Sequence, residues 1–139
     1  MGHGRIQVDA SDWDSISWSS SLLPQVSQWR IVVDMRFVET PVFMRLIDRL
    51  LNPDEYRSLQ IALMLRPEQG PVIRGGAGLR KIRWARPGGG KSGGFRIIYY
   101  WAPSESAFYM LYVYAKNEQG DLTPAQGRAL GQLVREEFK

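Results

Sequence analysis

Cysteine is absent from this 139-residue chain, and histidine occurs once, as His3 near the N-terminus. Without cysteine there is neither a disulfide framework nor a thiolate metal site. A single terminal histidine also leaves no basis for a histidine-based metal site or for a Ser-His or Cys-His dyad. We therefore expect a protein without a metal or other cofactor.

Long apolar runs are missing as well. No stretch approaches the roughly 20 apolar residues that a membrane-spanning helix needs, and the N-terminus lacks the cationic start and apolar core of a secretory signal. The lack of cysteine is compatible with a reducing compartment. We therefore expect a cytoplasmic protein that has no membrane partner.

Acidic residues are absent from one long central segment, Gln69–Ser104. The whole chain has a net charge of +4 and a pI of about 9.6. The segment carries Arg74, Arg80, Lys81, Arg83, Arg86, Lys91 and Arg96. This one-sided distribution predicts a phosphate-bearing partner, with a merely solvated basic face as the alternative.

The chain divides into two parts. Residues 1–34 are rich in serine and follow no sustained hydrophobic period, which predicts an N-terminal extension that is partly disordered or loosely packed. Residues 35–139 read as one folded domain, a length that is ordinary for a single domain.

Within the domain, hydrophobic periods and capping residues predict an α+β fold. Helices are expected from about Thr40 to Leu51, from the capping residue Asn52 onwards and from Thr123 onwards. The predicted strands are 36–39, 79–85, 95–101 and 108–115. Together these elements predict a small antiparallel β-sheet of three or four strands, with helices packed on one face.

Cations on two of these strands are expected to converge. Lys81 and Arg83 are two residues apart and share a strand face, and Arg96 on the next strand can lie beside them. Lys116 follows the last strand. Three clustered cations are tolerated where they stay solvated or where an anion neutralises them, and guanidinium groups bind phosphate well.

Such a cluster suits metal-free cleavage of RNA, in which the 2′-hydroxyl attacks the adjacent phosphorus. The protein then has to position the reacting groups, move protons and stabilise the charged phosphorane. A lysine crowded by other cations can take part in proton transfer, but the sequence offers no histidine or evident carboxylate pair as the base. Glu118 and Asp121 are candidates for orienting the cations, although surface or capping roles are favoured for them. A plain RNA-binding surface remains the alternative to a nuclease.

Three blocks of sequence, Gly78–Trp84, Gly90–Tyr100 and Tyr114–Glu118, resemble the RelE/ParE toxin superfamily and most closely its HigB branch. The resemblance covers roughly residues 35–139. It implies a RelE-like fold and the toxin of a type II toxin–antitoxin system, a ribosome-dependent endoribonuclease that cleaves mRNA at the A site. The implied partners are mRNA on the ribosome, small-subunit rRNA and a cognate HigA-like helix-turn-helix antitoxin.

The resemblance also implies roles for individual residues. The catalytic cations would be Lys81, Arg83, Arg96 and Lys116. The residues that bind RNA would be Arg80, Trp84, Arg86, Lys91 and Tyr114. The chain departs from members that carry a proton-transferring tyrosine near the C-terminus, because no tyrosine follows Tyr114. Tyr114 is a candidate substitute, and a packed sheet tyrosine is the alternative reading.

Two other functions stay open at this point. A ParE-like toxin uses the same fold to inhibit DNA gyrase by protein–protein contact, although that activity does not need clustered cations. The stretch from Ala85 to Ser92 differs from a P-loop in having Ala85 in place of glycine. Because a β-run follows it where a P-loop needs a helix, nucleotide hydrolysis is not expected.

Overall fold

The computed structural model describes residues 35–85 and 94–138. The helices are α1 (Pro41–Leu50), α2 (Pro53–Leu65) and α3 (Pro124–Glu137). The strands are β1 (Arg36–Glu39), β2 (Arg80–Trp84), β3 (Phe95–Ala102) and β4 (Ala107–Ala115), with a 3-10 turn at Pro103–Glu105 between β3 and β4. The predicted α+β class is confirmed. The predicted N-terminal extension, residues 1–34, lies outside the described residues.

The four strands form one sheet in the order β1-β4-β3-β2. The pairs β2–β3 and β3–β4 are antiparallel, as predicted, and β1 pairs with β4 in parallel. The two helices connect β1 to β2 at the opposite edge of the sheet, and a connection of this kind, unlike a tight hairpin, allows β1, β2 and β4 to run in the same direction. The sheet is therefore an antiparallel meander with one parallel edge strand.

The helix starts follow the local capping chemistry that the sequence predicts. Thr40 accepts a hydrogen bond from the amide of Phe43 at 3.0 Å, and its hydroxyl donates to the carbonyl of Leu111 at 2.8 Å. Asn52 and Thr123 each form a reciprocal capping box with the residue three positions later. Each cap satisfies amide groups that the first helical turn leaves without a partner. None of the described helices is both long and apolar enough to cross a bilayer.

The helices cover both faces of the sheet, so the prediction that they pack on one face is wrong. The hydroxyl of Tyr56 in α2 donates to Glu39, which shares a sheet face with Phe37 and Phe108. On the opposite face, the ring of Phe138, which follows α3, contacts Tyr100. The physical reason lies in β3 and β4, whose residues are buried in long continuous runs. Strands that are apolar on both sides need cover on both sides.

The face that α1 and α2 cover, called here the packed face, holds an aromatic cluster. The ring centroid of Phe108 lies 4.8 Å from that of Phe37 and 4.5 Å from that of Trp101. The hydroxyl of the buried Tyr99 donates to the carbonyl of Pro67 and accepts from the amide of Gly70. The packed face thus provides most of the core and also anchors the segment that leads into β2.

Candidate active site

Residues on three neighbouring strands line up across the face opposite the packed face. In the strand register, Arg83 of β2 lies opposite Arg96 of β3, and Arg96 lies opposite Tyr114 of β4. Lys81 lies two residues before Arg83 and so projects from the same face. We call the surface formed by Lys81, Arg83, Arg96 and Tyr114 the basic face. The prediction that the three cations share a face is confirmed.

The three cations differ in exposure. Arg83 is exposed and makes no ion pair or hydrogen bond with any described residue. The Lys81 side chain is 36% exposed. Arg96 is 8% exposed, and its Nη1 atom donates to the carbonyl of Phe95 at 3.4 Å. Lys81 and Arg83 are therefore accessible to an anion, whereas Arg96 is almost fully covered.

Helix α3 covers the part of this side of the sheet that lies next to the basic face. Gln126 in its first turn donates to the hydroxyl of Tyr112 at 3.4 Å, and Phe138 lies against Tyr100 and Tyr109. The described contacts of α3 and Phe138 with the sheet thus involve Tyr112, Tyr109 and Tyr100, which lie outside the basic face. The basic face borders the N-terminal end of α3.

The loop between β4 and α3, residues 116–123, closes one side of the basic face. The Nζ atom of Lys116 donates to the carbonyl of Gly120 at 2.7 Å. Asp121 in the same loop places its Oδ1 atom 3.1 Å from the Nζ atom of Lys81. This ion pair joins residues 40 positions apart in the chain. It ties the loop to β2 and brings a carboxylate to the cations.

The environment of Asp121 keeps its carboxylate charged. The amide of Leu122 donates to Oδ1 at 2.8 Å, and this hydrogen bond, followed by that of Lys81, lowers the pKa of Asp121 below its ordinary value. The positive charge of Lys116 acts in the same direction. Asp121 is thus ionised at neutral pH, because the neighbouring cations and the amide of Leu122 favour the charged carboxylate.

Tyr114 is buried, and its hydroxyl has no hydrogen-bond partner at normal distance among the described residues. Burial, with a further contribution from the nearby Asp121 carboxylate, raises the pKa of Tyr114 to about 12. The hydroxyl is therefore protonated at neutral pH. A buried O–H group without an acceptor is costly, which makes it a ready donor to an anion that enters the site.

The structure separates two of the predicted RNA-binding residues from this cluster. Arg80 and Trp84 alternate with Lys81 and Arg83 and so project from the opposite face. The Nη1 atom of Arg80 donates to the carbonyls of Glu68 and Gly70, at 3.1 and 2.9 Å. Arg80 therefore holds the segment before β2 in place.

The remaining predicted site residues fall into two groups. Lys116 borders the cluster through its loop and acts electrostatically on Asp121. Arg86 and Lys91 lie outside the described residues. Asp121, for which the sequence favoured a surface or capping role, is the residue that sequence reasoning undervalued. The sequence shows that Asp121 lies two residues before the helix cap Thr123, but it does not show the contact between Asp121 and Lys81.

No group of three or more histidine, cysteine, aspartate or glutamate side chains in residues 35–85 and 94–138 is arranged to hold a metal ion. The groups that the basic face offers to a ligand are two exposed cations, a buried guanidinium, a protonated phenol and one carboxylate. Such a set can bind a phosphate, stabilise negative charge that develops on it and move a proton.

Comparison with known protein families identifies a match that covers these strands. A family model described as the RelE toxin of the RelE/RelB toxin–antitoxin system matches residues 64–138. The matched segment is more than half of the chain and contains β2, β3, β4 and α3. Every residue of the basic face, together with Lys116 and Asp121, lies within it.

Proposed function

Since the chain belongs to the RelE family of toxin–antitoxin toxins, as the match over residues 64–138 shows, we propose that it is a ribosome-dependent endoribonuclease of a type II system. It cleaves mRNA at the A site by attack of the RNA's own 2′-hydroxyl. The subtype that the sequence favours is HigB-like.

One observation carries this proposal, namely the alignment of Arg83, Arg96 and Tyr114 across three adjacent strands. Two like charges directly opposite each other on a sheet destabilise it. Their cost falls when an anion lies between or above them, and a phosphodiester has the required charge and acceptor geometry. The arrangement favours a nucleic-acid backbone over a protein surface as the occupant of the basic face.

The described residues supply groups that suit this reaction. The 2′-hydroxyl loses its proton as its oxygen bonds to phosphorus, the bond from phosphorus to the 5′ oxygen breaks, and that oxygen takes up a proton, so that the products are a 2′,3′-cyclic phosphate and a 5′-hydroxyl. Arg83 and Lys81 stabilise the charge that builds on the phosphorane oxygens. The positive charge of the buried Arg96, which lies opposite Arg83, adds to this stabilisation. The Tyr114 hydroxyl donates to a phosphate oxygen.

The proposed partners follow from this reaction. The substrate is mRNA on the ribosome, and small-subunit rRNA is the surrounding surface that the remaining cations contact, with Lys116 beside the site. The chain acts in the cytoplasm, where ribosomes translate. A cognate antitoxin, of the HigA-like helix-turn-helix type that the sequence favours, silences the toxin by occupying or distorting the basic face.

Primer extension on translated mRNA after induction of the chain tests the proposal. New 5′ ends within codons are expected for the parent and are expected to be lost in Lys81→Ala. Arg57→Ala, which removes an exposed arginine from α2, is the control that keeps the cleavage pattern. Supercoiling defects without new 5′ ends would instead identify a ParE-like inhibitor of gyrase and refute the nuclease.

A further inference from the structure

We propose that Asp121 is a catalytic residue of this site, the carboxylate that accepts the proton of the attacking 2′-hydroxyl. This inference rests on the proposed function, because it assigns a role within the same metal-free cleavage. Lysine and arginine cations have no lone pair for a proton. The reaction therefore needs an acceptor that the basic residues themselves do not supply.

The position of Asp121 fits this role. Its Oδ1 atom is occupied, since it accepts hydrogen bonds from Lys81 Nζ and from the amide of Leu122. Its Oδ2 atom accepts no hydrogen bond at ordinary distance from a described residue, although the hydroxyl of Tyr114 lies close enough to interact with the carboxylate, and the Asp121 side chain is 72% exposed. One carboxylate oxygen is thus fixed while the other is open to a ligand that lies on the basic face.

The loop that carries Asp121 is held by its own network of hydrogen bonds. The side-chain amide of Gln119 donates to the carbonyl of Asp121 at 2.8 Å and accepts from the hydroxyl of Tyr112 at 2.7 Å. Lys116 binds the carbonyl of Gly120 from the other side. The loop is therefore anchored to β4, and the carboxylate has a defined place beside the cations.

Elimination among the groups at the basic face points to the same residue. Arg83 and Arg96 are always charged, and the ammonium of Lys81, which pairs with Asp121, has no lone pair. Tyr114 keeps its proton, because burial raises its pKa to about 12. Asp121 is ionised at neutral pH. Among the described residues at this face, it is the group with a free lone pair for the proton.

The proposed step balances without a further reactant. Asp121 takes the proton of the 2′-hydroxyl while the 2′ oxygen bonds to phosphorus. The bond to the 5′ oxygen breaks, and that oxygen takes a proton from water. Asp121 returns its own proton to solvent after the products leave. Its low pKa makes it a weak base, so we expect a contribution at the lower end of the range of about 10²- to 10⁴-fold known for general bases.

Asp121→Asn is the isosteric test. The amide oxygen still accepts from Lys81 and Leu122, but the side chain no longer takes a proton. Single-turnover cleavage of mRNA on programmed ribosomes is expected to slow about 100-fold, with the concentration of toxin that half-saturates the ribosomes unchanged. Glu118→Gln removes an exposed carboxylate from the same loop and is expected to cleave at the parental rate. Thermal unfolding confirms that both variants are folded.

Chemical rescue separates proton transfer from a merely structural role. In Asp121→Gly, added acetate or imidazole is expected to restore part of the rate, and the stronger base is expected to restore more. A parental rate in Asp121→Asn, an equal loss in Glu118→Gln or a lack of rescue in Asp121→Gly overturns the assignment of Asp121. In those cases cleavage by the parent leaves the proposed function intact. A parent that does not cleave on the ribosome overturns both.

Discussion

On the packed face, the central strands present Ile97, Tyr99 and Phe108 to α1 and α2, and all three are fully buried. On the basic face, the same sheet presents Lys81, Arg83 and Arg96 at one end and gives only the other end to α3. Apolar contacts therefore hold one side together. On the other side, like charges lie next to each other at a cost that the packed side has to offset.

This contrast separates residues that stabilise the fold from residues that act on a ligand. Substitutions on the packed face should lower the free energy of unfolding and affect activity only through it. Substitutions of exposed cations on the basic face should lower activity and leave the free energy of unfolding nearly unchanged. Each of the following predictions sharpens this separation or would break it.

Phe108→Ala should have the largest effect. The substitution removes a buried ring that contacts Phe37, Tyr99 and Trp101, and the loss of such a ring costs about 3–5 kcal/mol. Denaturant unfolding followed by fluorescence measures the change. Phe108→Leu, which leaves a smaller cavity, is the control and should lose clearly less. A loss below about 1 kcal/mol in Phe108→Ala would show that the packed face is not the main source of stability.

Arg83→Ala should produce the opposite pattern. Because Arg83 is exposed and has no partner among the described residues, the free energy of unfolding should change by less than about 0.5 kcal/mol. Ribosome-dependent cleavage should fall about 100-fold, the usual loss when one group that stabilises a developing charge is removed. Arg57→Ala on α2 is the matched control. If both variants cleaved equally well, the basic face would not be the active surface.

Gly94→Ala tests the backbone directly before β3, the strand whose side chains contribute to both the packed face and the basic face. Gly94 has a positive φ of 69°, and a Cβ atom there would lie 2.5 Å from the carbonyl oxygen of Trp84. Its carbonyl also accepts from the amide of Lys116. We expect a loss of about 1–3 kcal/mol in the free energy of unfolding. Gly120→Ala, where a Cβ meets nothing within 4 Å, should be nearly neutral, and equal losses in both would contradict the strain argument.

Glu39→Gln should have the smallest effect, visible as a change with pH. Burial raises the pKa of Glu39, and the hydrogen bond from Tyr56 partly opposes this. A raised folded-state pKa means that the stabilisation is full below about pH 4.3, the value of an exposed glutamate, and is lost as the pH rises through the folded pKa.

Glutamine still accepts from Tyr56 but does not ionise. Relative to the parent, Glu39→Gln should therefore gain in free energy of unfolding as the pH rises from about 4 to about 7. Urea unfolding at both values measures this, with Glu118→Gln, an exposed carboxylate, as the control. A difference between Glu39→Gln and the parent that does not change with pH would show that burial does not perturb this carboxyl.

Local patterns predicted the elements well. Thr40, Asn52 and Thr123 begin the helices that they were expected to cap, and strand alternation placed Lys81, Arg83 and Arg96 on one face. These features depend on neighbours in the chain. They are therefore readable from the sequence, as was the resemblance that the family match supports.

Features that depend on distant contacts were not predicted. The placement of α3 opposite α1 and α2 follows from burial of β3 and β4 on both sides, a pattern that the sequence shows only as continuous apolar runs. The burial of Arg96 and the ion pair between Lys81 and Asp121 join residues from separate elements. Local spacing holds no information about such contacts.

The most direct test of the central claim is a double-variant cycle in single-turnover cleavage of ribosome-bound mRNA. It compares the parent, Lys81→Ala, Arg83→Ala and the combined variant. If both cations act on one phosphodiester, the parent cleaves, each single variant is slow, and the combined loss is smaller than the product of the single losses. A parent that leaves the mRNA intact, or single variants that cleave at the parental rate, would contradict it.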